Sequence, residues 1–162
     1  MSRLHGKAWG DRYIHLAKEI STWSKDPSTK VGAVVIGNNG EVLSQGYNGF
    51  PRGIKDTSAR LKNRERKYNL VVHAEMNAIY NASLNGVSLN NATLYVYGLP
   101  ICNECAKGII QVGIRRVIAT RPADYNKEWD ESIKDAKALF KEAEVEYLID
   151  VEKEWVKRWY HL

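Results

Sequence analysis

His73-Ala74-Glu75-Met76-Asn77-Ala78-Ile79, Thr93-Leu94-Tyr95-Val96-Tyr97, Cys102-Asn103-Glu104-Cys105-Ala106-Lys107 and the run from Arg116 to Thr120 follow one another along the chain. Their patterns alternate between helix and strand, which predicts an α/β architecture. From His73 to Leu84 apolar residues (Ala74, Met76, Ala78, Ile79, Ala82) lie nearly all round, as in a helix packed between other layers. Thr93 to Tyr97 reads as a strand, Cys105 to Val112 as a helix with Ala106, Ile109 and Ile110 facing inward, and Arg116 to Thr120 as a second strand. Strand, helix, strand predicts a right-handed parallel crossover. A helix from Glu131 to Lys141 and a strand from Val145 to Ile149 predict another.

Upstream, Trp9, Tyr13, Leu16, Ala17, Ile20 and Trp23 recur at helical spacing, which predicts an amphipathic helix over residues 8–24 with an aromatic inner face. Val31 to Ile36 reads as a strand, Asn38-Asn39-Gly40 as a tight turn and Glu41 to Tyr47 as the returning strand of a hairpin. Gly46, Gly49, Pro51 and Gly53 then open a loop expected to be irregular, with one short helix. Val151, Trp155, Val156 and Trp159 form an apolar stripe expected to dock on the domain, with an oligomer contact as the other reading.

At 162 residues the chain is long enough for one well-filled core, so a single domain over residues 1–162 is expected. With 44% hydrophobic and 27% charged residues it falls in the globular range, which argues against a disordered or fibrous chain. No apolar run approaches the roughly 20 residues of a membrane span, and Met1 to Gly10 has no continuous apolar core like that of a signal peptide. The expected location is the cytoplasm. The formal net charge is +5, and the stretch from Pro51 to Val72 holds seven basic residues against Asp56 and Glu65. That stretch accounts for the whole excess. It is either a solvated face or an anion site.

Cys102 and Cys105 are too close in sequence to staple a domain, so alone they read as metal ligands or a redox pair. Cysteines three apart in a first helical turn face one point, which His73 can reach if its helix packs alongside. One imidazole and two thiolates make a zinc site. Structural zinc takes four protein ligands, whereas three leave one position open to water. The chain has no third cysteine, and His5, His15 and His161 are distant in sequence. Open zinc brings the pKa of its water toward about 7, and Glu75, two residues after His73, stands where a carboxylate can take the water's proton. The N-termini of both helices add positive potential that favours thiolates.

The H-x-E and C-x-x-C pattern is that of zinc nucleobase deaminases, and the chain resembles the cytidine and deoxycytidylate deaminase superfamily. The likeness extends from Ser24-Lys25-Asp26-Pro27 and Val31-Gly32-Ala33 through both metal motifs, and Gly46-Tyr47-Asn48-Gly49-Phe50-Pro51 points to the deoxycytidylate (dCMP) branch. The resemblance implies a three-layer α/β/α fold, its mixed central sheet having about five strands. It implies one catalytic Zn2+ held by His73, Cys102 and Cys105, with Glu75 as proton shuttle in the hydrolysis of dCMP to dUMP and ammonia, which supplies dUMP for thymidylate synthesis. Backbone amides at Ala74 and near Cys102 would meet the pyrimidine, Asn48 the sugar hydroxyl, and Val34 or its neighbours the base. Asn48 beside glycine also reads as a turn residue.

Relatives in this branch are oligomers, commonly hexamers, activated by dCTP and inhibited by dTTP with Mg2+ on the effector's phosphates. The matching residues here are Tyr47, Asn48, Gly49, Arg52 and Lys25; for Tyr47 and Phe50 ordinary packing is the other reading. Candidates for the substrate's 5′-phosphate are Arg60, Arg64, Arg66, Lys67 and Lys107. Two features depart from the family pattern. Ile101 separates Pro100 from Cys102, and the stretch between Phe50 and His73 has no Cys or His for a second zinc.

The rival substrates are free cytidine, a tRNA adenosine and single-stranded nucleic acid. Strand binding calls for aromatics interleaved with charge, yet Tyr68 is the one aromatic between Pro51 and Val72, so no nucleic-acid partner is expected. A non-catalytic structural zinc module and a redox protein complete the alternatives.

Overall fold

The computed structural model describes residues 7–123 and 125–151. Helix α1 (Lys7–Ser21) leads into the hairpin β1 (Gly32–Ile36) and β2 (Val42–Tyr47). Two short helices follow, α2 (Ser58–Lys62) and α3 (Arg64–Leu70), then α4 (Ala74–Leu84), β3 (Thr93–Tyr97), α5 (Asn103–Gln111), β4 (Arg116–Arg121), α6 (Asp130–Glu142) and β5 (Glu146–Val151). A 3-10 turn, Lys127–Trp129, opens α6. The expected mixed five-stranded sheet is present in the order β2-β1-β3-β4-β5. β1 pairs antiparallel with β2 and β3, while β3, β4 and β5 run parallel.

Each sheet face carries its own apolar cluster. Ala33, Val35, Leu94, Val96, Val117 and Ala119 pack against α4, α5 and α6. The alternate residues Val34, Ile36 and Tyr95 pack against Tyr13, Ile14, Ala17 and Ile20 of α1. The inner face of α1 therefore differs from the expected stripe: Trp9 and Leu16 remain exposed, Ile14 takes a buried place, and the helix ends at Ser21, short of the expected residue 24 and before the exposed Trp23. Tyr80 and Leu84 likewise leave one side of α4 uncovered. The stripe at Trp155, Val156 and Trp159 lies outside the described residues.

α4 is tied closely to the edge strand β2. Asn77 and Asn81 donate from Nδ2 to the carbonyls of Tyr47 and Gln45, both at 2.7 Å, and Ser44 Oγ donates to Ala78 O. Gly46 makes this approach possible, because a Cβ there would collide with the backbone of Ala74 and Ala78. The helix that starts at His73 is thereby held at a fixed height above the sheet.

The basic stretch forms two helices where one was expected. Thr57 and Asn63 cap them, accepting hydrogen bonds from Arg60 N and Arg66 N.

Candidate metal centre and catalytic pocket

His73 and Cys102 occupy equivalent places, each with extended backbone at the N-cap of a helix. The Gly49–Val72 bridge leads into His73: Val72 N donates to Gly49 O at 2.8 Å, which joins the helix start to the glycine loop after β2. Gly98 starts the path from β3 to Cys102. Its φ of +118° and the nearness of Lys30 O to any added Cβ leave room for glycine alone.

His73 Nδ1 lies 3.5 Å from Cys102 Sγ and 3.4 Å from Cys105 Sγ. Bonds of about 2.0 and 2.3 Å meeting at a tetrahedral angle span about 3.5 Å between nitrogen and sulfur, so these side chains fit zinc. All three ligand atoms lie within 4.8 Å of one another, and among the described residues no fourth His, Cys, Asp or Glu joins them. His15 lies on α1 across the sheet, and His5 and His161 fall outside the described residues. Neither cysteine is in a disulfide.

The electrostatics favour one thiolate, on Cys102, and keep protons on the other two side chains in the metal-free protein. The Cys102 thiol is lowered to about 4, first by its hydrogen bond with Cys105 and then by His73. Cys105 is pushed up by the same bond and by burial. His73 is raised to about 9, chiefly by Cys102 and secondarily by Glu75, against the effect of burial. Glu75 is buried, with Oε2 3.7 Å from Cys105 Sγ, and burial raises its carboxyl to about 7. A carboxyl near neutrality both accepts and returns protons at physiological pH.

The centre opens into a cavity of about 830 Å³ lined by His73, Ala74, Glu75, Cys102, Asn48 and Val31, among others. A smaller cavity of about 120 Å³ adjoins it and includes Lys25, Tyr47, Asn48 and Gly49. Asn48 belongs to both, and its amide is engaged with the chain itself: Oδ1 accepts from Val31 N at 2.8 Å and Nδ2 donates to Thr29 O at 2.9 Å. Lys25 pairs with Asp56 at 2.9 Å, and Tyr47 meets Trp23 edge to face. Two residues sit elsewhere than expected. Val34 is fully buried against α1, because strand alternation turns it to the other face, and its neighbour Val31 lines the cavity instead. Arg52 hydrogen-bonds Asn81 Oδ1 on α4 and lines neither cavity.

Of the basic candidates, Arg64 and Lys67 line the large cavity, together with Lys62; Arg60, Arg66 and Lys107 do not. Arg60 donates to Lys55 O, and Lys107 pairs with Glu104. Sequence reading missed the opposite wall, which carries Tyr97, Tyr125, Glu128, Trp129 and Ser132. These come from β3, from the segment joining β4 to α6 and, for Ser132, from α6 itself, and no local pattern links them to the metal motifs.

The family described as the cytidine and deoxycytidylate deaminase zinc-binding region matches residues 7–121. An uncharacterized deaminase of the luxG 3′ region in Aliivibrio fischeri is 40% identical over 139 residues, covering 85% of this chain and 90% of that protein. Deoxycytidylate deaminase of Mus musculus is 36% identical over 144 residues, 86% of this chain and 78% of the mouse protein. A crystal structure of dCMP deaminase from the cyanophage S-TIM5, in complex with dCMP and dUMP, superposes with a TM-score of 0.71 at 25% identity over 90% of this chain and 98% of that one. The family match takes in His73, Glu75, Cys102 and Cys105 and most of the sheet around them, so the chain belongs to the cytidine and deoxycytidylate deaminase family.

Proposed function

We propose that this chain is a zinc-dependent deaminase that converts dCMP and water into dUMP and ammonia, a source of dUMP for thymidylate synthesis. The carrying observation is the buried Glu75 carboxyl beside the His73, Cys102 and Cys105 group, at the inner end of a cavity large enough for a nucleotide. The names of the mouse and cyanophage relatives support the nucleotide substrate. Lys62 and Arg64 on the cavity wall suit a monophosphate.

Zinc on the three side chains supplies the Lewis acidity that makes hydroxide available near neutral pH. Glu75 takes the proton that water loses and passes it to ring N3 as the new bond to C4 forms. It then carries the second proton to the amino group, the bond between C4 and that nitrogen breaks, ammonia departs, and the carboxylate is restored. The Ala74 N–H, at the α4 N-terminus, lies outside the intrahelical hydrogen-bond ladder and is the proposed donor to the pyrimidine oxygen. Asn48 is the proposed contact to the sugar hydroxyl.

The smaller cavity is the proposed place for a dCTP activator or dTTP inhibitor with Mg2+, through Lys25, Tyr47, Asn48 and Gly49. At about 120 Å³ it holds only part of a nucleotide, which accords with a homo-oligomer completing it. The proposed location is the cytoplasm; among the described residues no helix is long and apolar enough to cross a membrane.

Ammonia release from dCMP, cytidine and an RNA stem-loop, each with and without dCTP or dTTP plus Mg2+, tests the reading. Turnover of dCMP that responds to the effectors is expected, and turnover of RNA alone overturns the substrate.

A further inference from the structure

The loop that delivers Cys102 is held by two hydroxyls from far along the chain. Tyr147, on β5, accepts a hydrogen bond from Ile101 N at 2.8 Å. Ser132, on α6, accepts from Asn103 N at 3.0 Å and donates to Asn103 Oδ1 at 2.9 Å. The residues immediately before and after Cys102 therefore have their backbone N–H groups fixed by side chains. Ile101 is fully buried, so its N–H has no water to turn to if the phenol oxygen is removed. The Tyr147 ring is itself held edge-on to Phe140, with centroids 4.9 Å apart.

Neither hydroxyl falls within the family match, which ends at residue 121. The extra residue between Pro100 and Cys102 is the one that Tyr147 holds. Without that bond, the longer connection could place Cys102 Sγ away from the 3.5 Å separation from His73 that suits a tetrahedral ion.

We propose that Tyr147 and Ser132 are positioning residues for the metal centre, fixing the backbone on either side of Cys102 so that its sulfur stays in register with His73 and Cys105. This rests on the metal reading of the site and is independent of which substrate is deaminated. The removal of outer groups that orient a metal ligand typically lowers metal affinity by about 10–100-fold.

The test is zinc affinity by competition with a chromophoric chelator, with the absorption spectrum of the cobalt-substituted protein as a second readout, for Tyr147→Phe, Ser132→Ala and Ser132→Thr. Expected are a roughly tenfold or greater loss for Tyr147→Phe and Ser132→Ala, displaced thiolate-to-cobalt bands, and recovery in Ser132→Thr, which keeps the hydroxyl. Affinity within threefold of the unaltered chain with an unchanged cobalt spectrum overturns the proposal, and any greater loss supports it. If Tyr147→Phe fails to fold, Ser132→Ala decides by the same criterion. A purely structural role would lower the unfolding temperature and leave both metal readouts in place. If the unaltered chain holds zinc yet leaves dCMP untouched, the proposed substrate fails and this inference can still be measured.

Discussion

Lys67 Nζ lies 3.1 Å from Asp26 Oδ1, and each side chain keeps only 9% of its surface exposed. The same ammonium donates to Ser28 Oγ at 2.9 Å, and the same carboxylate oxygen accepts the N–H groups of Ser28 and Thr29. Ser24 Oγ adds a bond to Asn48 O. A charge from the basic stretch thus serves inside the protein, where it braces the 26–31 segment that walls the large cavity. Lys67→Met would leave the carboxylate buried with backbone donors only and should cost about 3 kcal/mol of stability. Urea denaturation measures this, and a loss below about 1 kcal/mol would show that the pair is dispensable.

Glu75→Gln keeps the shape of the side chain and removes its ability to move protons. Turnover should fall about 10³-fold while zinc content and unfolding temperature stay as they were. Retention of a tenth of the activity would sink the shuttle role.

Metal uptake should displace protons. In the metal-free protein His73, raised from 6.5 to about 9, is an imidazolium at pH 7, Cys102 at about 4 is already a thiolate, and Cys105 still holds its proton. Zinc needs a neutral imidazole and two thiolates, so binding at pH 7 should release about two protons. The raised His73 value contributes stability to the metal-free protein that is complete below pH 6.5 and lost as pH rises through about 9. Zinc affinity should accordingly climb with pH across that window. Calorimetry in buffers of different ionisation enthalpy counts the protons, and a proton-neutral uptake contradicts this charge assignment.

Gly46→Ala forces a methyl against the backbone of Ala74 and Ala78, where no side chain can rotate away. A loss of about 3 kcal/mol is expected, together with weaker zinc binding as the start of α4 is displaced. Thermal unfolding with and without metal checks both, and an unchanged midpoint would rule out the close approach.

Arg64 reaches across the cavity to Glu128 with two bonds, at 2.9 and 3.0 Å, from an exposed position. Such exposed pairs add little to stability. Arg64→Ala should leave the unfolding midpoint in place while raising KM for dCMP about tenfold, through loss of a charged donor to the phosphate. Equal KM values for the two proteins would remove Arg64 from phosphate recognition.

Features written in local spacing are legible from the residues alone. Asn38-Asn39-Gly40 between two strand-forming runs sets the hairpin, the strand and helix periods downstream set the parallel crossovers, and ligands at positions 73, 102 and 105 point to a metal. Which side each residue faces and which distant groups meet emerge only when the chain closes into its fold. β1 is buried on both faces, so its residues show no polar alternation, and nothing in Val31 to Ile36 distinguishes Val34, turned toward α1, from Ala33 and Val35, turned toward α4. Lys67 is buried because Asp26, 41 positions away, neutralises it, and Cys102 is held by hydroxyls 30 and 45 positions further on in sequence. Local periodicity reports on a residue's neighbours within a turn or a strand; desolvation and hydrogen bonding depend on which elements the closed fold brings together.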